Sequence, residues 1–299
     1  MSKIFHALAD AWVKRSARPD RAALAAVVDL RPATVITGAS KGIGLELARR
    51  FAMKGDAVVL VARHPGPLTE AVTAIKAEGA DRTALSIALD VTDPHAFEQI
   101  AASLRENGLY LDVLINNAAI GLGDAFVTQP PEAVDRLIAL NVAALTRLTR
   151  LALPDMVARG RGGVINVASV GAYVPGPYQA AYYASKAYVI SLTEAIAAEH
   201  SGSGVRIAVL APGPVDTAFH AKMGAQNALY RWVLPSGNAA KVAAGTRRDF
   251  MLGRRVIVPG LFYLLSAAIL RVVPHPISVP IMAWLLKPKG SDTAQKSSA

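Results

Sequence analysis

The chain has no cysteine among its 299 residues. Disulfides, thiolate nucleophiles and zinc sites with cysteine ligands are therefore excluded. Acidic residues are scarce, 22 against 32 Lys plus Arg, and the formal charge is +10 with the six histidines neutral. A surplus of that size attracts nucleic acid or an anionic membrane. No dense Lys/Arg run is present, however, so a nucleic-acid partner is not expected. The excess gathers towards the ends, at Lys3, Lys14, Arg15, Arg18 and Arg21, then at Arg247, Arg248, Arg254, Arg255, Arg271, Lys287 and Lys289. The first residues lack a continuous apolar core, being broken by Asp10, Lys14 and Arg15, and no cleaved signal peptide is expected. Internal repeats and long low-complexity linkers are absent as well. Residues 256–286 carry one formal charge, Arg271, but Pro259, Gly260, Pro274, Pro276 and Pro280 divide them into pieces shorter than the ~20 residues of a spanning helix.

What is present is a large apolar fraction, 53%, ample for the core of one α/β domain. Strand-like runs at residues 33–37, 57–62, 83–89, 112–116, 163–168, 205–210 and 256–258 are near-continuously apolar, as in a buried parallel sheet. Between them, helical patterns span residues 45–54, 67–78, 94–107, 130–153 and 180–200. This alternation predicts a doubly wound parallel sheet of Rossmann type with helices on both faces. The expected organisation is an amphipathic helical prefix (residues 1–31), one catalytic domain (32–260), an apolar C-terminal extension (261–288) and a polar, Ser-rich disordered tail (289–299).

Thr37-Gly38-Ala39-Ser40-Lys41-Gly42-Ile43-Gly44 joins the first strand to the first core helix. Glycines permit a tight turn and close approach to a pyrophosphate, and the helix start offers it unpaired N–H groups, so a dinucleotide site is predicted. The T-G-x-x-x-G-x-G spacing of Gly38, Gly42 and Gly44, with Ser40, Lys41 and Ile43 between, resembles the fingerprint of classical short-chain dehydrogenases/reductases. In dinucleotide folds an acid about 20 residues beyond the glycines accepts from the ribose hydroxyls of NAD, whereas an Arg nearby suits a 2′-phosphate. Here Arg63 stands 19 residues after Gly44, with no acid there, and Lys41 adds a second cation. NADP(H) is therefore expected in preference to NAD(H). Asp90-Val91 resembles the family's pair that meets the adenine ring. Asn116-Asn117-Ala118-Ala119 resembles its N-N-A-G motif, with Ala119 in place of the final glycine. Pro212-Gly213-Pro214-Val215-Asp216-Thr217 is similar to the P-G loop beside the nicotinamide, with Thr217 available to the carboxamide.

The chemistry is predicted downstream. Residues 163–168 run into Ser169, and Tyr182 and Lys186, four apart, share a helix face; Tyr183 has Ala187 at that spacing. A phenol with a reference pKa of about 10 donates a proton at neutral pH, and a neighbouring ammonium stabilises the phenolate left behind. Ser169 offers a hydroxyl to the developing oxyanion. The resemblance implies that Asn141, 28 residues before Ser169, completes a tetrad with Ser169, Tyr182 and Lys186 by holding the lysine's proton relay through water.

These residues predict an NADPH-dependent reductase of a small-molecule ketone or aldehyde, apolar and acyl-chain-like. The competing expectation is a non-catalytic NADP(H)-sensing protein on the same fold. No metal site is expected. Beyond Thr217, residues Phe219, Met223, Tyr230, Trp232 and Val233 either form an apolar lid or pack ordinarily. In the prefix, Ile4, Phe5, Leu8, Trp12 and Val13 make one apolar stripe, and Pro19-Asp20 starts a second helix through Val28. Two readings stand for the ends: peripheral contact with an anionic membrane, or packing on each other or across a dimer interface so as to cover the substrate cleft. A cytoplasmic homo-oligomer is expected, with or without a membrane surface as partner.

Overall fold

Period-two alternation decides the core. Val35, Val59 and Val61 face one way and Ile36, Val58 and Leu60 the other, and all six are buried, so both faces of these strands must be covered. The computed structural model describes residues 19–79, 82–224 and 228–287. The strands are β1 (Arg31–Thr37), β2 (Ala57–Ala62), β3 (Ala84–Ala88), β4 (Leu109–Asn116), β5 (Gly162–Val167), β6 (Val205–Leu210) and β7 (Val256–Ile257). All pairings are parallel, and the order is β3-β2-β1-β4-β5-β6-β7. The expected doubly wound sheet is present. Its order reverses between β1 and β4, which opens a crevice above their carboxyl ends.

Parallel strands need crossovers, supplied here by helices. A short α1 (Arg21–Ala25) precedes β1, with the Asp20 carboxylate accepting from Ala22 N–H at 2.9 Å as the N-cap. The expected helix through Val28 stops at Ala25 and continues only as turns. The core helices are α2 (Gly42–Ala52), α3 (Pro65–Ala77), α4 (Ala96–Glu106), α5 (Pro131–Ile138), α6 (Leu145–Arg159) and α7 (Ala180–Glu199). One π-helical turn, Ala139–Ala144, links α5 to α6. The sequence placed the end of this helix at residue 153, before Pro154. The chain instead stays helical to Arg159, because burying Leu153 and Met156 outweighs the one backbone bond that Pro154 forfeits.

After β6 come two short helices, α8 (Phe219–Lys222) and α9 (Tyr230–Val233), and then α10 (Ala239–Met251). The last was not expected, although Asn238 marks its start by accepting from Ala240 N–H and Lys241 N–H. Two apolar helices follow β7: α11 (Leu261–Val272) and α12 (His275–Leu286). The apolar stripe expected over residues 4–13 and the disordered tail over 289–299 lie outside the described residues.

One face of the sheet packs on α2, α3 and α10 through Leu47, Phe51, Leu68, Ile75 and Phe250. The opposite face packs on α4, α6 and α7 through Ile100, Leu104, Leu148, Met156 and Ala197. Buried amides on β4 and β5 are joined crosswise: Asn116 Nδ2 donates to Asn166 Oδ1 and Thr149 Oγ1, both at 2.9 Å, and Asn166 Nδ2 donates to Thr193 Oγ1 at 3.0 Å. These bonds tie the strands to α6 and α7 close to the crevice.

Candidate active site

The glycine turn is fixed from beneath. Thr37 Oγ1 accepts from Asn117 N–H and Ala118 N–H, both at 3.0 Å, while Asn117 Nδ2 donates to Thr37 O at 3.0 Å and Gly38 O at 3.1 Å. Gly38 and Gly42 have φ of +64° and +62°, the region that glycine enters without penalty. Gly44 is constrained by space instead, since a Cβ there would fall 2.5 Å from Asn117 Nδ2 and from Gly38 O. At the start of α2 the N-cap Lys41 makes no side-chain capping bond, and no acid lies in the first turn. That leaves N–H groups directed at the space above β1, a setting that favours an anion. The cradle fits a dinucleotide pyrophosphate.

Cations gather beside it. Arg63, at the end of β2, has its side chain 59% exposed and lies 4.0 Å from Asp90 Oδ2. Asp90 Oδ1 also accepts from Thr92 N–H and the Thr92 hydroxyl, at 2.9 and 2.8 Å. Lys222 of α8, which the sequence did not single out, faces Lys41. Contact with the Lys41 ammonium pulls the Lys222 pKa below the ordinary lysine value, with smaller contributions from desolvation and Arg63. Thr217 sits over the turn, its Cγ2 3.3 Å from where a Gly42 Cβ would be, so the segment that carries Lys222 lies across the glycines.

The predicted site residues converge. All of them except Gly44 and Asn141 line a single cavity of about 1200 Å³ that extends from the glycine turn past Ser169, Tyr182 and Lys186. Gly44 and Asn141 stand just behind its wall. Asn141, on the π-helical turn, accepts from Ile120 N–H at 3.0 Å and donates to Ile120 O at 2.8 Å and to Ser185 Oγ at 3.2 Å. It thereby ties the loop that follows β4 to the helix bearing Tyr182 and Lys186. Such single π turns occur disproportionately at functional positions.

Ser169 Oγ accepts from Gly171 N–H at 3.2 Å, which leaves its own proton to be donated. Burial raises the Tyr182 phenol above its ordinary pKa, and the hydrogen bond from Ser169 partly opposes this by favouring the phenolate. Lys186, 3% exposed, donates to Val167 O at 2.8 Å, and its ammonium lies 5.8 Å from the centre of the Tyr182 ring. Burial pushes its pKa down to about 8. Tyr183 packs its ring on Gly171 and Gly176, where added Cβ atoms would collide with it.

The lid expectation divides. Phe219, Met223 and Tyr230 line the cavity, and Phe219 lies 5.6 Å from the Tyr182 ring. Trp232 and Val233 instead face solvent at 73% and 56% exposure, and Leu234 takes the inward place. A short α9 turns successive residues to different sides, which an apolar count cannot foresee. The remaining walls come from α11 and α12, through residues such as Phe262, Ile269, Met282 and Leu285. This place at the cavity agrees with the expectation that the apolar C-terminal segment covers the substrate cleft.

Comparison with known proteins bears on the family and the fold. The short chain dehydrogenase family model matches residues 32–228. The 2-(R)-hydroxypropyl-CoM dehydrogenase of Xanthobacter autotrophicus is 33% identical over 243 residues, which cover 76% of this chain and 97% of that one. Among solved structures, a short-chain dehydrogenase from Sphingobium yanoikuyae in complex with NADPH has a TM-score of 0.70 at 28% identity, covering 90% of this chain and 96% of that one. The bulky-bulky ketone specific alcohol dehydrogenase from Comamonas testosteroni has a TM-score of 0.66 at 26% identity, with 91% and 95% covered. On sequence, topology and fold together, the chain belongs to the short-chain dehydrogenase/reductase family of oxidoreductases.

Proposed function

We propose that the protein is an NADPH-dependent reductase of an apolar ketone or aldehyde. The observation that carries this reading is one cavity with a cation cluster, Lys41, Arg63 and Lys222, at one end and Ser169, Tyr182 and Lys186 further along it. Gly38, Ser40, Gly42, Ile43 and Gly44 would hold the pyrophosphate, Asp90, Val91 and Asn117 the adenosine side, and Pro212, Gly213, Val215 and Thr217 the nicotinamide side. When bound, NADPH supplies the hydride that reduces the carbonyl carbon. Tyr182 then acts as general acid towards the carbonyl oxygen, and Ser169 donates a second hydrogen bond to the same oxygen. Lys186 stabilises the phenolate that remains. Asn141 positions the helix of Tyr182 and Lys186 through Ser185.

Three cations without a full complement of acids suit a 2′-phosphate better than bare ribose hydroxyls, which supports NADP(H) over NAD(H). The apolar walls supplied by Phe219, Phe262, Ile269 and Met282 suit a hydrocarbon-rich substrate. The bulky ketones named for the Comamonas relative are consistent with that choice. The reading extends to a cytoplasmic homo-oligomer in peripheral contact with a membrane. Tyr182→Phe tests the chemistry: carbonyl reduction should be abolished while the NADPH dissociation constant, read by fluorescence titration, stays within about twofold. Unchanged turnover would refute the reductase reading and favour a nucleotide sensor.

A further inference from the structure

The two C-terminal helices have two apolar faces where a surface helix of a soluble protein normally has one. Inward, Tyr263 and Ala267 of α11 pack on Val170, and Leu286 of α12 packs with Met223 and Tyr230. Outward, Leu261, Leu264, Leu265 and Val272 of α11 and Ile277 and Trp284 of α12 are 51–78% exposed, and none of them lines the cavity. Three more residues do both. Phe262, Ile269 and Ile281 line the cavity and are still about half exposed, so they form its rim. The mouth of the substrate cavity and the exposed apolar face are one continuous surface.

We propose that the outer face of α11 and α12 docks on an anionic lipid bilayer and that the cavity opens into it, so the enzyme takes its apolar ketone directly from the lipid phase. The substrate half of this rests on the reductase reading above; the docking half does not. Each helix has 12 residues, a length of about 18 Å at 1.5 Å per residue against a hydrocarbon core of ~30 Å, so the pair lies in the interface and does not span it. Residues 256–287 contain no acid, Arg271 and Lys287 stand at the ends of the two helices, and Arg254 and Arg255 precede them; Arg271 bridges Glu194 at 3.3 Å and Arg254 bridges Asp249 at 3.1 Å, so cations still outnumber acids in this group. That charge pattern complements anionic headgroups. Trp284 at 64% exposure has the amphipathic ring that settles at a headgroup boundary. Apolar patches of this extent on a soluble protein mark an interaction surface. A second copy of the chain seated there would plug the mouth bordered by Phe262, Ile269 and Ile281, whereas a fluid bilayer covers the same atoms and leaves the mouth open to lipid-dissolved molecules.

The test uses the full chain with vesicles of phosphatidylcholine alone or of equimolar phosphatidylcholine and phosphatidylglycerol. Wild type should cosediment with the anionic vesicles, more weakly with the neutral ones and more weakly in high salt. Leu265→Glu combined with Trp284→Glu, and separately Val272→Glu, should weaken cosedimentation at least about tenfold. These variants should lose at least about tenfold in kcat/KM for dodecanophenone carried in the vesicles, yet keep wild-type turnover of dissolved acetophenone, which also verifies their fold. Wild type that stays in the supernatant with both vesicles overturns the docking. Variants that no longer bind vesicles but reduce dodecanophenone as fast as wild type overturn the lipid route. Variants that drop to a smaller oligomer, with wild type never binding vesicles, assign the face to a copy of the chain instead. If wild type reduces neither ketone, the reductase reading falls, and cosedimentation still decides the docking.

Discussion

Lys186 offers a prediction in which chemistry and stability pull apart. Burial lowers its pKa from 10.5 to about 8. Between those values the unfolded chain holds a proton that the folded chain has lost, so stability from this group rises as pH increases from about 8 to 10.5. Below about 8 both states hold the proton, and the folded state bears the whole desolvation cost, about 3 kcal/mol. Lys186→Met keeps most of the volume and deletes the charge. It also deletes the bond to Val167 O, worth about 1 kcal/mol. The net expectation at pH 7 is a gain of about 2 kcal/mol, hence a Tm about 3 °C above wild type for a chain of this size. Near pH 10.5 the gain should vanish or turn into a small loss. Calorimetry of the nucleotide-free protein between pH 7 and 10.5 measures both, alongside an assay in which the variant should be inactive. A variant that melts below wild type at pH 7, or a gap that does not change with pH, would refute the reasoning.

Two further outcomes concern the nucleotide. Charge-assisted bonds contribute about 1.5–3 kcal/mol, and the exposure of Arg63 argues for the lower end, so Arg63→Ala should weaken NADPH binding about tenfold and NADH binding hardly at all. Lys222→Ala should shift the same ratio in the same direction by about threefold to tenfold, and equal losses with both nucleotides would make either residue structural. Gly44→Ala, whose Cβ would lie 2.5 Å from Asn117 Nδ2 and Gly38 O, should cost at least about a hundredfold in affinity for either dinucleotide. Wild-type binding by that variant in a fluorescence titration would show that the turn can relax.

The sequence revealed those parts of the molecule whose physics is local. A parallel strand buried on both faces needs an unbroken apolar run, and β2 and β6 were accordingly delimited to the residue. Gly38 and Gly42 mark positive φ, and the four-residue step from Tyr182 to Lys186 marks one helix face. The parts that stayed hidden depend on distant contacts. Nothing near Lys222 in sequence announces Lys41, which meets it only because the chain after β6 folds back across the glycine turn. Helix α10 has mixed small and charged residues, so its apolar stripe is faint without the sheet face it covers. The inward and outward faces of α11 and α12 are both apolar, and periodicity has no contrast from which to orient them.

That difference also separates the two ends of the cavity. At the nucleotide end, backbone geometry dictates residue type: a Cβ at Gly44 collides, and Thr37 and Asn117 have hydrogen bonds that few other side chains can make. At the substrate end, Phe219, Met282 and Leu285 need only be apolar and of suitable volume. The short α8 joins the two. Phe219 at its first residue rests near the Tyr182 ring, and Lys222 at its last faces Lys41. Repulsion among Lys41, Arg63 and Lys222 opposes that position of α8, and an anion seated among them would reverse the sign of the interaction. Charge at the nucleotide end therefore bears on how firmly an apolar ring is held against Tyr182, the proposed general acid, at the other.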